Sequence, residues 1–199
     1  MVIVSGTQDE LPQGLYSDVS KYRYEVFIDR LGWELETQGR VEQDQFDRTD
    51  AVYVVMKDDE GNVSGCARLL PTTKPYLLGE VFPQLLNGLA PPRSPEVWEL
   101  SRFTVMDVQG NKPSRYGMQP SSKARDLLNA SIATAVSHCA KRLITVSPIG
   151  IERLLRTMDV HAHRAGPPMV VDGHPLFACW IETEGVDKPE AYQSKYRLS

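Results

Sequence analysis

VWELSRFTV, residues 97–105, reads as a β-strand that carries charge. Val97, Trp98, Leu100, Phe103 and Val105 are apolar and mostly β-prone. Glu99, Ser101 and Arg102 interrupt them. Strand side chains alternate between faces, so Glu99 and Ser101 share one face and Arg102 takes the other unless a bulge shifts the register. A core strand with a carboxylate and a guanidinium needs partners for both, because a buried unpaired charge is very unfavourable.

Upstream, the pattern is one of antiparallel strands. AVYVVMKDDEGNVSGCARLL, residues 51–70, predicts a hairpin with its turn at DDEGN, and VIV near the start predicts a short first strand. Between them, Val19, Tyr22, Val26 and Phe27 recur at helical spacing, which predicts a helix from about Ser17 to Leu31, stopped by Gly32. The polar, acidic run LETQGRVEQDQFDRTD reads as a loop. PTTKPY and LAPPRSPE read as proline-rich connections around a short helical piece.

Downstream, strands alternate with helices. Pro120 and Ser121 open a predicted helix to about Lys141, with Leu127, Leu128, Ile132, Ala135 and Val136 on its apolar side. LITVS then reads as a strand, IGIERLLRTM as a helix, HAHRAGPP as a loop and PLFACWI as a last strand. Antiparallel pairs followed by alternation imply one α/β domain over residues 1–199, a three-layer sandwich with a mixed twisted sheet flanked by helices.

The bulk numbers fit a globular chain: 199 residues, 41% hydrophobic and 24% charged. No apolar run reaches the roughly 18–20 residues of a membrane helix. MVIVSGTQDE lacks the basic and apolar regions of a secretory signal. The three cysteines, widely spaced, suggest neither a disulfide framework nor a zinc pattern, and are expected to be buried in a reducing cytoplasm. Net charge is −4, with an acidic first third and a basic remainder. That is not the basic footprint of a nucleic-acid binder, although the basic part suits an acidic partner. Dinucleotide, phosphate-loop and nucleophile-elbow motifs are absent.

Several polar residues stand out from this background. Arg23 and Phe27 are four apart on the first helix and share a face. Glu42, Asp44 and Asp47 crowd the EQDQFD loop, Arg68 ends the GCAR strand, and Glu99 and Arg102 lie in the opening stretch. They make either one polar pocket of paired charges or separate surface pairs. The loop carboxylates lack the glycine-punctuated pattern of a calcium site, and His138, His161, His163 and His174 lack zinc spacing.

RYEVFIDRLGW, EQDQFD, GCARLLPTTKPYLL and VWELSRF, in this order and spacing, together with LITVSPIGIERLL and HRAGPP, resemble the LuxI-type acyl-homoserine-lactone synthases over about residues 10–182. The resemblance implies a fold like that of the N-acetyltransferase (GNAT) superfamily. It implies two substrates, S-adenosyl-L-methionine and an acyl chain carried on acyl carrier protein. The products would be the lactone, a quorum-sensing signal, and methylthioadenosine, with no metal or further cofactor and no membrane or nucleic-acid partner. Its polar set matches Arg23, Phe27, Trp33, Glu42, Asp44, Asp47, Arg68, Glu99 and Arg102, of which Arg23, Phe27, Trp33, Glu42, Asp47 and Arg68 are expected to bind S-adenosyl-L-methionine. A neutral amine is needed for attack, so a positioned base is expected, Glu99 with Asp44 as rival; Arg102 completes this expected catalytic group. Thr145 matches a position implying a 3-oxo or 3-hydroxy chain. Arg153 and Arg156 lie where the carrier protein would dock.

Overall fold

Alternating apolar residues build one twisted sheet, and two helical layers cover it. The computed structural model describes residues 1–35, 37, 39–108, 122–158 and 160–183, without the side chains of Arg153 and Leu154. In chain order the elements are β1 (Val2–Thr7), α1 (Leu15–Arg23, continued by a π-helical turn over Tyr24–Arg30), β2 (Val52–Lys57), β3 (Val63–Pro71), α2 (Leu77–Glu80), a 3-10 turn (Pro83–Leu86) and β4 (Val97–Val105). Then come α3 (Ser122–Ser137), β5 (Arg142–Pro148), α4 (Gly150–Thr157), β6 (Ala162–Arg164), β7 (Met169–Val171) and β8 (His174–Glu182).

The strand order is β1-β2-β3-β4-β5-β8-β6, with β7 also pairing β8. β1 to β4 are antiparallel neighbours. β5 then joins β4 in parallel, and β8 returns antiparallel to β5. The mixed sheet and its two faces match the sequence expectation. Tyr53, Val55, Cys66, Leu70, Ile144 and Ala178 pack with Val19, Tyr22 and Val26 of the first helix on one face. Val52, Val54, Ala67, Leu69 and Leu100 pack with α3 and α4 on the other, against Leu127, Leu128, Ile132 and Leu155.

The β4–β5 ladder decides where a ligand can enter. It covers only Val97–Glu99 opposite Arg142–Ile144, and both strands run on past it. The sheet is zipped at one end of this seam and parted at the other. Antiparallel hairpins supply the sheet's two halves, and the parallel contact needs the long crossover through α3.

Several boundaries differ from the sequence reading, each for a local reason. Helix α3 ends at Ser137, where Cys139 takes a left-handed φ of 66° and the Ala140 amide bonds back to the Ala135 carbonyl, closing the helix terminus. Cys139 is exposed there, so only Cys66 and Cys179 meet the expectation of buried thiols. The expected start of this helix, Pro120 and Ser121, lies outside the described residues. HAHRAGPP is not all loop: β6 pairs Ala162, His163 and Arg164 with Ile181, Trp180 and Cys179. β7 and β8 form a further hairpin through Asp172 and Gly173, both at positive φ as a two-residue primed turn requires.

Gly166 holds the β6–β7 connection against the other half of the molecule. A Cβ added there would lie 2.2 Å from the carbonyl oxygen of Leu85. That oxygen belongs to backbone and cannot swing aside as a flexible side chain can. Gly166→Ala is therefore expected to destabilise the fold by about 1–3 kcal/mol, as overpacking does, read as a lowered urea midpoint. A midpoint equal to wild type would mean that the connection relaxes freely.

Candidate active site

A bulge in β4 answers the question raised by Arg102. Ser101 pairs with Arg68 and Thr104 with Cys66, so Arg102 and Phe103 together oppose Ala67. Arg102 takes a φ of 52°, a left-handed conformation that costs a non-glycine residue roughly 1–3 kcal/mol. The turn carries its guanidinium to Glu42, with Nη2 2.8 Å from Oε1, and to Asp44, 2.9 Å from Oδ2. Simple alternation would have sent Arg102 to the α3 face.

Around it, three arginines interlock with three carboxylates. Arg23 on α1 donates through Nε to Glu42 at 2.5 Å and forks onto both oxygens of Asp47 at 2.8 and 3.0 Å. Arg68 on β3 forks onto Asp44 at 2.6 and 3.0 Å, donates through Nε to Ser101 Oγ at 3.1 Å and lies 3.0 Å from Asp47. Tyr53 donates its hydroxyl to Asp47. Loop geometry is part of the device: the Asp44 amide donates to Asp47 and the Phe46 amide to Asp44. One polar cluster, and not scattered surface pairs, is what these residues form. Bidentate arginine–carboxylate pairs of this kind are the strong class of charged hydrogen bond.

The cluster presents an edge, not a cup. Arg23, Glu42, Asp47 and Arg68 are nearly inaccessible, whereas the Asp44 side chain is 20% exposed. Phe27 and Trp33 stack with ring centroids 4.7 Å apart, and the Arg102 guanidinium lies 5.6 and 5.9 Å from them. The π-helical turn brings them together: the Trp33 amide bonds to the Phe27 carbonyl. Trp33 remains 37% exposed at the lip.

Electrostatics divide the acids into two kinds. Burial alone would push Glu42 and Asp47 up. The arginines outweigh it and hold both below the usual carboxylate range, through Arg102 and Arg23 for Glu42 and Arg23 and Arg68 for Asp47. Glu99 behaves oppositely. It is fully buried beside the cluster, at the start of α2, where its oxygens accept from the amides of Leu77 at 3.0 Å and Leu78 at 2.6 Å. Burial wins there, and its carboxyl is pushed up to about 7 against those amides and the arginines. The arginines therefore do not secure the ionised form of Glu99 as they do that of Glu42 and Asp47.

A cavity of about 740 Å³, its open mouth included, runs from this edge into the parted seam. Phe27, Trp33, Ser101 and Arg102 line one end. Leu100, Phe103, Leu128, Ile151, Leu155 and Met158 line the other. Thr145 and Ser147 alternate with Ile144 and Val146 on β5, so they face α3 and α4 and line this second part. Glu99 does not line it; Ser101, next on the same face, does. Ser147 was not singled out for binding by sequence, although its place two residues after Thr145 on a strand puts both on one face.

Arg156 lies exposed on α4, 3.2 Å from Glu152, which also binds Arg164. The side chain of Arg153 lies outside the described residues.

Comparison with known proteins gives the chain its kin. The model of the autoinducer synthase family matches residues 8–185. An acyl-homoserine-lactone synthase of Acinetobacter nosocomialis is 52% identical, over 92% of this chain and 100% of its own. One from Ralstonia solanacearum is 45% identical, over 87% of this chain and 85% of its own. The crystal structure of TofI, in a ternary complex with an inhibitor and MTA, has a TM-score of 0.79 at 42% identity, covering 92% of each chain. MesI, a CoA-dependent acyl-homoserine lactone synthase, has a TM-score of 0.78 at 26% identity, covering 94% of this chain and 91% of its own. At 13% identity and a TM-score of 0.59, a Lactobacillus plantarum protein described as an N-acetyltransferase shares the fold alone, over 92% of this chain and 97% of its own.

The parted mixed sheet thus places the molecule among acyltransferases of N-acetyltransferase-like fold. Within that class the chain belongs to the autoinducer synthase family, and its activity is acyl-homoserine-lactone synthesis, the making of a quorum-sensing signal.

Proposed function

We propose that the chain transfers an acyl group from a thioester on acyl carrier protein to the amine of S-adenosyl-L-methionine and then closes the lactone. The observation that carries this reading is continuity: one cavity joins the charged, aromatic edge at Arg102, Phe27 and Trp33 to the apolar lining beyond Thr145. A cationic amino acid derivative suits the first part, and an acyl chain the second. The MTA bound by TofI supports the same first substrate.

In the first step the amine nitrogen bonds to the thioester carbon, the thiol leaves, and the ammonium proton must go to a base. Glu99 takes it in this reading, through one water or the Ser101 hydroxyl. The negative charge of Asp44, at the exposed edge, attracts the ammonium, and Phe27 and Trp33 pack against the sulfonium end, where an aromatic face attracts a cation. Arg102 stays between them. Arg23, Glu42, Asp47 and Arg68 hold Asp44 and Arg102 in place, since their own polar atoms are turned on one another. In the second step the methionine carboxylate attacks its own γ-carbon and methylthioadenosine departs. Ring closure gains from the folded chain alone, so the scheme uses no metal and no further cofactor. Thr145 contacts an oxygen on the acyl chain, and Arg153 and Arg156 meet the acidic carrier on α4.

The CoA dependence of MesI favours a second reading of the donor. Purified protein with S-adenosyl-L-methionine and either carrier-bound or CoA-bound acyl thioester separates the two, by mass spectrometry of lactone and methylthioadenosine. The expected result is release only with a donor, with kcat/KM for the carrier thioester about tenfold or more above CoA, the margin expected of charge complementarity worth over 1 kcal/mol. Release without any donor, or none with either, would overturn the acyl-transfer reading; a preference for CoA would overturn the carrier.

A further inference from the structure

Where β4 leaves β5, it needs another means of staying in place. Among the described residues, its ladder with β5 ends at Glu99, while Leu100, Ser101, Arg102, Phe103 and Thr104 go on to line the cavity. Residues 145–148 of β5 line the other side of the gap and pair with β8 and not with β4. Two strands with open backbone edges facing each other tend to zip together, and here that would close the cavity. The bulge loosens the hold of β3 as well, because Arg102 and Phe103 together oppose one residue, Ala67.

Two side chains behind this run hold it. Tyr22 on α1 reaches Met106, one residue past the end of β4, and satisfies both of its backbone groups. The Tyr22 hydroxyl donates to the Met106 carbonyl at 3.0 Å and accepts from the Met106 amide at 2.9 Å. The Thr104 side chain hydrogen-bonds to the same hydroxyl. Tyr22 is buried, and burial pushes its phenol up, so the donated proton stays in place. At the other end of the run, the Cys66 thiol donates to the Arg102 carbonyl at 3.5 Å. Burial pushes that thiol up to about 12, so it too remains a donor. Neither Tyr22 nor Cys66 lines the cavity.

We infer that Tyr22 is a positioning residue for acyl transfer: with Cys66, it splints residues 100–106 away from β5 and keeps open the part of the cavity that takes the acyl chain. This rests on the acyl-transfer reading above. The two ends of the cavity depend on the splint unequally. Arg102 has a second hold, from Glu42 and Asp44, so the charged edge survives without Tyr22. Phe103 and Thr104 are placed by the backbone between Arg102 and Met106, and Phe103 packs on the apolar side with α3. Removing the Tyr22 hydroxyl leaves the amide and carbonyl of buried Met106 without that partner, a costly state that a shift of the strand toward β5 would relieve.

Tyr22→Phe keeps the ring and removes only the hydroxyl. Two measurements on the purified variant test the splint: calorimetric binding of methylthioadenosine, and steady-state kinetics with butanoyl and dodecanoyl thioesters on acyl carrier protein and on CoA. The expected result is a KM for the dodecanoyl donor raised about tenfold, with the butanoyl KM within about threefold of wild type and the Kd for methylthioadenosine within about twofold. Cys66→Ala is expected to show the same split more weakly, and Cys66→Ser, which keeps a donor, to stay near wild type. If Tyr22→Phe does not fold, the split in Cys66→Ala decides. A dodecanoyl KM that does not move, or a rise shared equally by both donors and methylthioadenosine, would overturn the inference, the second because general loosening spares neither end of the cavity. Either result leaves acyl transfer standing. No lactone from the wild type with any donor would overturn acyl transfer itself, and this inference with it.

Discussion

Glu99→Gln is expected to slow acyl transfer by about a hundredfold or more, the low end of what a positioned base contributes, and to change the shape of the pH profile. Glu99 with a pKa of about 7 is protonated at pH 6 and ionised at pH 8, so a rate that needs its carboxylate rises with pH through about 7. The substrate amine adds its own limb at about 7.7–8.0. The variant should keep the amine limb and lose the lower one. Single-turnover rates from pH 5.5 to 9, with both substrates saturating, separate the two. An unchanged rate, or a lower limb that survives in Glu99→Gln, would return the role of base to Asp44.

Lone pairs favour Glu99 over that rival. A carboxylate offers about four acceptor positions. Those of Asp44 are taken by both Nη atoms of Arg68, by Arg102 and by the Phe46 amide. Those of Glu99 are half used, by the amides of Leu77 and Leu78. Burial raises the affinity of Glu99 for a proton, which is what a base near neutral pH requires.

The order of elements was legible because apolar period and turn residues are local properties. The hairpin at DDEGN, with Gly61 at a φ of 90°, is the clearest case. Asp172-Gly173 carries the same kind of signal between VV and HPLF, so the β7–β8 hairpin is legible in the sequence too. β6 was not readable: three residues, Ala-His-Arg, show no alternation, and only the partner strand makes them a strand. The membership of the polar cluster was legible as charge out of place. Its wiring was not, because the bulge at Arg102 rests on a backbone angle that arginine rarely adopts and that its carboxylate partners stabilise from 58 and 60 residues away. Nor does any local pattern announce that α2 folds back to set two amides on Glu99.

Arg23→Met is expected to be the most destabilising change in the site, by about 3–5 kcal/mol at pH 7, against the roughly 5–15 kcal/mol that typical domains possess. Methionine fills most of the space but leaves Glu42, Asp44 and Asp47 facing only Arg68 and Arg102, one buried negative charge in excess. The pH dependence separates charge from packing. In the wild type Glu42 and Asp47 titrate below their unfolded values, so the stability they contribute is complete above about pH 5 and is lost as pH falls through the folded pKa. In the variant the surplus charge raises the affinity of the cluster for a proton, and the folded state gains one as pH falls from 7 to 5. The deficit measured by urea denaturation should therefore shrink over that interval, and adding Asp47→Asn to Arg23→Met should recover part of it at pH 7. A deficit equal at pH 7 and pH 5, and untouched by Asp47→Asn, would mean that Arg23 matters for the shape of its side chain, and that charge balance is not what holds the acidic loop on the sheet.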